Sequence, residues 1–281
     1  MRPHTRLIDD TLYVRTAKPG AFDVRIHDLG NGHVEATALP HYTWEEASPD
    51  ASRDASMAVS HAWERAVGDW VPCVHPPREY TEQELLDRAA ANRDKAARRA
   101  RTTVRRLVKF KGLDTMLTLT YRENMTDRDR LKRDVDAFLK RVRRALPGFE
   151  YICVFERQKR GAWHAHLAVR RIAAVYVHRG VLVKSYNLLR AMWRGVVGAD
   201  NGNIDVSRSR RVGRSAARLA LYLSKYIGKT FSEVDQRHAN SYSASGRALP
   251  SPAVLRVFTG DQCEAARRLL GMVSRHLREG C

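Results

Sequence analysis

The sequence predicts an α+β fold: a central, mainly antiparallel sheet in split βαβ order, helices on one face, and extensions at both ends. Three observations lead there. Residues 116–121, 149–157 and 163–170 show the two-residue alternation of strands. Residues 131–146 and 214–229 carry apolar stripes at three- and four-residue steps, as helices do. The two patterns follow one another as β-α-β-β-(insert)-β-α, which lets helices cover a sheet.

Before this core, Thr11 to Arg15, Ala21 to Ile26 and His33 to Ala36 alternate briefly and predict a few small strands. A Ser/Asp/Ala-rich loop (Ser48 to Ser56) and the Pro-rich piece Val71 to Pro77 follow. Thr81-Glu82-Gln83-Glu84 has the capping-box pattern, in which Thr81 and Glu84 satisfy each other's amides, so a helix opens here and runs to about Phe110. The chain therefore divides into residues 1–80, whose fold the pattern leaves open, a basic helix over 81–112, the core over 113–231 and a C-terminal extension over 232–281.

Within the core, Met116 to Tyr121 is β-branched and alternating. Thr126 and Asp129 resemble a helix N-cap, and the stripe Leu131, Val135, Phe138, Val142, Leu146 runs on until Pro147-Gly148 stops it. Phe149 to Arg157 and Trp163 to Arg170 form a hairpin with Gly161 in the left-handed position that short hairpin loops favour. Ala174 to Lys184 suggests a second small hairpin, Tyr186 to Val197 a helix and Gly202 to Val206 a short strand. Arg214 to Lys229 is a helix with Ala216, Leu219, Leu223 and Ile227 on one stripe. A strand near Tyr242 and a helix from Asp261 to about Leu277 end the chain. No internal repeat is present.

With 281 residues and 43% hydrophobic content the chain can bury a core. Its net charge is +19 and its pI about 10.3, an excess that draws polyanions, above all nucleic acid. The second half of the first helix concentrates it in Arg98, Arg99, Arg101, Arg105 and Arg106. A second basic stretch holds Arg208, Arg210, Arg211, Arg214 and, a turn later, Arg218. Both suit the phosphate backbone of DNA. No apolar run approaches the ~18 residues of a membrane span, and the N-terminus lacks a signal-peptide stretch. The four cysteines form no CxxC pair, which argues against a thiolate zinc site and for a cytoplasmic protein with reduced thiols.

His164 and His166 are two apart on a strand, so both imidazoles point to one face. With the turn centred on Arg160, Glu156 lies opposite His164 and its carboxylate joins them. Two imidazoles and a carboxylate with open positions suit a divalent ion, Mg²⁺ or Mn²⁺. Gln158 shares the face and can replace or assist Glu156. The other face, Cys153, Phe155, Ala165, Leu167 and Val169, is apolar and packs on helices.

Tyr222, Lys225, Tyr226 and Lys229 recur at i, i+3, i+4 and i+7, one helical face distinct from the Leu219/Leu223/Ile227 stripe. A phenol with a pKa of about 10 is a poor nucleophile near neutrality, and a neighbouring cation and a metal-bound phosphate lower the barrier. Gly228-Lys229-Thr230 mimics the end of a phosphate-binding loop, but Leu223 stands where that loop needs glycine, so no nucleotide cofactor is expected.

Taken together, Leu117-Thr118-Leu119-Thr120, His164-Ala165-His166 and Tyr222-Leu223-Ser224-Lys225-Tyr226-Ile227-Gly228-Lys229 resemble the three ordered motifs of the HUH endonucleases. The two-tyrosine form is similar to the rolling-circle replication initiators of phages and plasmids. The resemblance covers roughly residues 114 to 230 and implies an RRM/ferredoxin-like core, with Glu156 in the place of the family's third, acidic ligand. It also implies a metal-dependent tyrosine transesterase: Tyr222 or Tyr226 attacks single-stranded or supercoiled origin DNA, leaving a 5′-phosphotyrosine and a 3′-OH primer, and strands are later rejoined. Conjugative relaxases usually carry their tyrosines ahead of the histidines, whereas transposases of the superfamily share the present order and stand as one alternative. The absence of a helicase motif makes a host helicase the expected partner. A non-catalytic RRM-like nucleic-acid-binding module is the second alternative; it gives no reason for Glu156, His164 and His166 to share a face.

Overall fold

The computed structural model describes residues 5–8, 11–47, 80–207, 215–232, 242–246 and 248–279. The chain forms two compact units. One joins the N-terminal strands to residues 251–281, and the other spans 86–250 together with the turn at 29–33.

In the first unit, β1 (Thr5–Ile8) and β11 (Ala253–Phe258) both pair with the long β2 (Thr11–Asp28), as does β3 (Val34–Glu46); all pairings are antiparallel. The small strands expected here are thus pieces of two long ones, because β2 changes register between Ala17 and Phe22 and breaks its own alternation. Gly20 sits in that irregularity at φ 68°, and a Cβ on it would lie 2.7 Å from the Thr259 carbonyl oxygen, so only glycine fits. Helix α5 (Gln262–Glu279) touches β2 and β3.

Helix α1 (Glu82–Phe110) begins with the expected capping box: Thr81 N–H donates to Glu84 at 3.1 Å, and Glu84 N–H to Thr81 Oγ1 at 3.2 Å. Only one stripe of it is buried, namely Ala97, Ala100, Val104, Leu107 and Val108.

The core sheet of the second unit has the order β10-β5-β6-β4-β9, all neighbours antiparallel. Its strands are β4 (Thr115–Tyr121), β5 (Tyr151–Arg157), β6 (Trp163–Val169), β9 (Gly202–Ser207) and β10 (Tyr242–Ala244). Because β6 lies between β4 and β5, those two strands are parallel and α2 (Arg128–Ala145) connects them, which is the split βαβ order. The α2 N-cap is Asp127 rather than Thr126 or Asp129: its carboxylate accepts from the N–H groups of Asp129 (2.8 Å) and Arg130 (3.0 Å). The backbone bonds from Arg130 and Asp129 hold the Asp127 carboxyl below its ordinary pKa, against a smaller opposing effect of burial. A two-stranded hairpin, β7 (Val175–His178) and β8 (Val181–Lys184), precedes α3 (Ser185–Val197), and α4 (Ala216–Ser232) follows β9.

Helices cover both faces of this sheet, not one. On the first, Leu117, Leu119, Cys153, Phe155, Leu167 and Val169 pack with Phe138 of α2 and Trp193 of α3. On the second, Ile152, Val154 and Ala168 pack with Val104 and Val108 of α1 and with Leu219, Leu223 and Ile227 of α4. The cause lies in β5, which is apolar at both parities from Ile152 to Phe155, the pattern of a strand buried on both sides. Among the described residues, no helix is long and apolar enough to cross a membrane.

Candidate active site

The β5–β6 register pairs Glu156 with His164 and Val154 with His166. The turn between the strands is closed by two hydrogen bonds, Gln158 N–H to the Ala162 carbonyl and Gly161 N–H to the Gln158 carbonyl, both 2.8 Å. Gly161 has φ 88°, the left-handed conformation the sequence led us to expect. The pleat therefore brings Glu156, His164 and His166 to one face, and all three are buried.

Their side chains are tied together. His166 Nε2 lies 2.9 Å from Glu156 Oε2, and His164 Nδ1 lies 3.1 Å from Gln158 Nε2. The two imidazole centroids are 6.4 Å apart. Among the described residues, no three His, Cys, Asp or Glu side chains stand in a metal-ready arrangement. Burial, the neighbouring His166 and Arg160 hold the His164 pKa below its ordinary value, with Glu156 opposing them, so His164 is neutral near pH 7.

Thr118 completes this patch, and sequence reasoning did not place it there. Strand β4 pairs Thr118 with His166, and Thr118 Oγ1 sits 3.2 Å from His166 Nδ1 with the hydroxyl buried. The Leu117–Thr120 motif marked this strand, but nothing local tells that Thr118 meets His166, because the β4–β6 pairing joins residues 48 positions apart. Gln158 was legible from its parity, but its attachment to His164 was not.

Helix α4 packs on β5 and β6 through Leu219, Leu223 and Ile227 and carries the tyrosines onto the same patch. The Tyr226 ring stacks on His166 at 4.2 Å between centroids and 12° between planes. Its hydroxyl donates to the Tyr222 oxygen at 2.5 Å. Tyr226 is therefore buried as well, although its face is distinct from the Leu219/Leu223/Ile227 stripe, since the imidazole gives its ring a flat surface to cover. Tyr222 is half-buried and Lys225 exposed, with Lys225 Nζ 5.9 Å from the Tyr222 ring centroid. Burial, then the hydrogen bond to Tyr222, then the charges of Tyr222 and Glu156 push the Tyr226 phenol upward.

The side chain of Lys229 lies outside the described residues, as do Arg208, Arg210, Arg211 and Arg214. On α1, Arg98, Arg99 and Arg101 are exposed and Arg105 and Arg106 half-buried, while Arg218 on α4 is exposed.

Fold and site together define an α+β domain whose five-stranded sheet carries a buried Glu/His/His/Thr patch beside two phenols. Residues 114–231, less than half of the chain, match the model of a family described as Replication-associated protein ORF2. That match supports a rolling-circle replication initiator with DNA as its partner. Neither the curated proteins nor the solved structures give a match to this chain.

Proposed function

We propose that this protein initiates rolling-circle replication by nicking one strand of origin DNA through tyrosine transesterification, as its resemblance to the two-tyrosine HUH initiators implies. The observation that carries the reading is the stack of Tyr226 on His166, itself bonded to Glu156, with Tyr222 hydrogen-bonded to Tyr226: two potential nucleophiles at the edge of a buried His/carboxylate patch.

The donor chemistry fits a divalent ion. Glu156 and His166 already touch, and His164, neutral, stands one pleat step away on the same face. These three would hold the ion, with Thr118 and Gln158 orienting the two imidazoles. Bound there, Mg²⁺ or Mn²⁺ would polarise the scissile phosphodiester.

The chain's own residues do the rest. A tyrosine oxygen bonds to phosphorus while the bond to the 3′-oxygen breaks, and the phenolic proton is lost as the 3′-oxygen gains one. The DNA is left with a 5′-phosphotyrosine and a free 3′-OH. The bond energy stays in the protein–DNA link, so rejoining needs no nucleotide. Lys225 stands beside Tyr222, where its charge favours the developing phenolate. Arg98, Arg99 and Arg101 offer an exposed basic stripe for the phosphate backbone. Opening of the duplex falls to a host helicase or to supercoiling.

The test is incubation with single-stranded DNA from its own replicon and Mg²⁺, followed by mass spectrometry of the protein. A DNA adduct on Tyr222 or Tyr226 is expected, absent in the Tyr222→Phe/Tyr226→Phe double variant and after EDTA. Full cleavage by the double variant, or after metal removal, sinks the proposal. Transfer between two element ends in place of a primed 3′-OH would identify a transposase.

A further inference from the structure

The β7–β8 hairpin carries a surface that neither the tyrosine site nor the core uses. Its two-residue turn, Arg179–Gly180, has both residues at positive φ (52° and 76°), the turn whose twist matches paired strands. The pairings Val175↔Lys184 and Val177↔Leu182 set these four side chains on one face. Tyr176, Val181 and Val183 lie on the other face, where Tyr176 and Val183 are half-buried and Val181 is 62% exposed, and the Tyr176 hydroxyl oxygen accepts from Ala173 N–H at 3.3 Å.

The first face is open. Val177 is 70% exposed, Leu182 72% and Val175 48%. Arg179 at the tip and Lys184 at the base are exposed as well. From Arg170 to Lys184 the chain holds four Arg or Lys residues and no acid. Arg170 is engaged by Glu150 at 3.0 Å; the other three point the local field outward. A second copy of the chain is a poor occupant for this face, since like charges would meet at both ends. An apolar strip between two cations matches instead a polyanion with a partly apolar groove floor.

We propose that this hairpin is a β-ribbon that enters the major groove of duplex DNA. Arg179 and Lys184 meet phosphates, and Val177 and Leu182 meet base edges, where apolar side chains contact thymine methyls. The major groove, about 12 Å wide, admits a two-stranded ribbon and displays the thymine methyls, which the minor groove, about 6 Å wide, does not present. The hairpin leaves β6 at the Val169 end, five residues beyond His164, or about 17 Å along the strand.

The inference rests on the reading of the protein as a DNA-nicking initiator, and the experiment separates the two. Full-length wild type, V177S/L182S and R179Q/K184Q are titrated by fluorescence anisotropy against mixed-sequence duplex and against a mixed-sequence single strand, from about 50 to 200 mM salt. For duplex, R179Q/K184Q is expected to lower the slope of log affinity against log salt by about two. V177S/L182S is expected to weaken duplex binding about tenfold at unchanged slope. Both should bind the single strand as wild type does. Wild-type duplex binding by both variants overturns the ribbon while single-strand binding leaves the initiator reading standing. Loss of a dimer by V177S/L182S in sedimentation, with duplex affinity kept, also overturns it and assigns the face to a second copy. Absence of binding to either DNA in the wild type overturns both.

Discussion

Tyr226 is held between two partners, its ring flat on His166 and its hydroxyl donating to Tyr222. Burial, and then the hydrogen bond it donates, hold the Tyr226 phenol protonated. Of the two, Tyr222 is also the less buried and the one beside Lys225. On the nicking reading proposed above, these contacts favour Tyr222 as the first nucleophile. In single-turnover nicking, Tyr222→Phe should slow the first cleavage by about 10³-fold or more, and Tyr226→Phe by about tenfold or less. A larger loss in Tyr226→Phe reverses the assignment. The second residue-scale prediction concerns Thr118. A hydroxyl both donates and accepts, so it can hold Nδ1 of His166 in either tautomer and leave Nε2 facing Glu156. Thr118→Val keeps the shape and loses the hydroxyl. Calorimetric Mn²⁺ affinity should drop about 10- to 100-fold, and Thr118→Ser should restore it; equal affinity in all three would show the hydroxyl idle. At this scale the hairpin geometry of Glu156, His164 and His166 was legible, because parity on a strand is strictly local. Thr118 and the Tyr226–His166 stack were not, because strand order and helix placement bring them together.

Elements were legible to the extent that one face of each was apolar. Helix α2 is the clearest case: Leu131, Val135, Phe138 and Val142, spaced as the sequence requires, are all buried. Helix α3 seals the same face through Trp193, whose ring meets Tyr121 at 5.3 Å and Phe138 at 5.7 Å, both edge-on, and whose indole N–H donates to the Thr120 carbonyl at 3.0 Å. Trp193 thus joins two helices and a strand, and Phe138 is its partner on α2. Phe138→Ala should cost about 3–5 kcal/mol, since neighbours fixed by the Trp193 hydrogen bond cannot collapse into the space. Urea unfolding followed by tryptophan fluorescence checks it. A shift in midpoint at constant slope is expected, and a change below about 1 kcal/mol would mean that the cluster repacks freely. The helices on the second face escaped the sequence reading for a related reason. Glu156 and His166 drew that face as polar, although Ile152, Val154 and Ala168 on the same parity form an apolar floor for α1 and α4. A site at one end of a strand and a core at the other average into an ambiguous pattern.

For the whole molecule, chain order was a poor guide. Strand β11 pairs with β2 more than 200 residues upstream, a contact that no window-based pattern contains. Net charge, by contrast, is readable without any fold, and it sets two responses to salt that run in opposite directions. A net +19 repels itself and weakens the compact state. At about 0.01 M ionic strength the screening length is about 30 Å, comparable to a domain, and it falls to about 8 Å at 0.15 M. Raising salt across that range should therefore raise the melting temperature, seen by scanning calorimetry. The same screening and the loss of counterion release weaken DNA binding: with 6–10 phosphate contacts, affinity falls about 10³- to 10⁵-fold between 50 and 200 mM. A melting temperature that stays flat while affinity falls would mean that the cations are spaced widely enough, or paired well enough, not to strain the fold. A melting temperature that falls with affinity would mean that ion pairs such as Lys111–Glu150, where the buried ammonium lies 3.2 Å from the carboxylate, outweigh the repulsion of the exposed arginines. The expected divergence follows because Arg98, Arg99 and Arg101 are exposed along one helix, near one another and open to solvent, where repulsion and phosphate binding draw on the same charges.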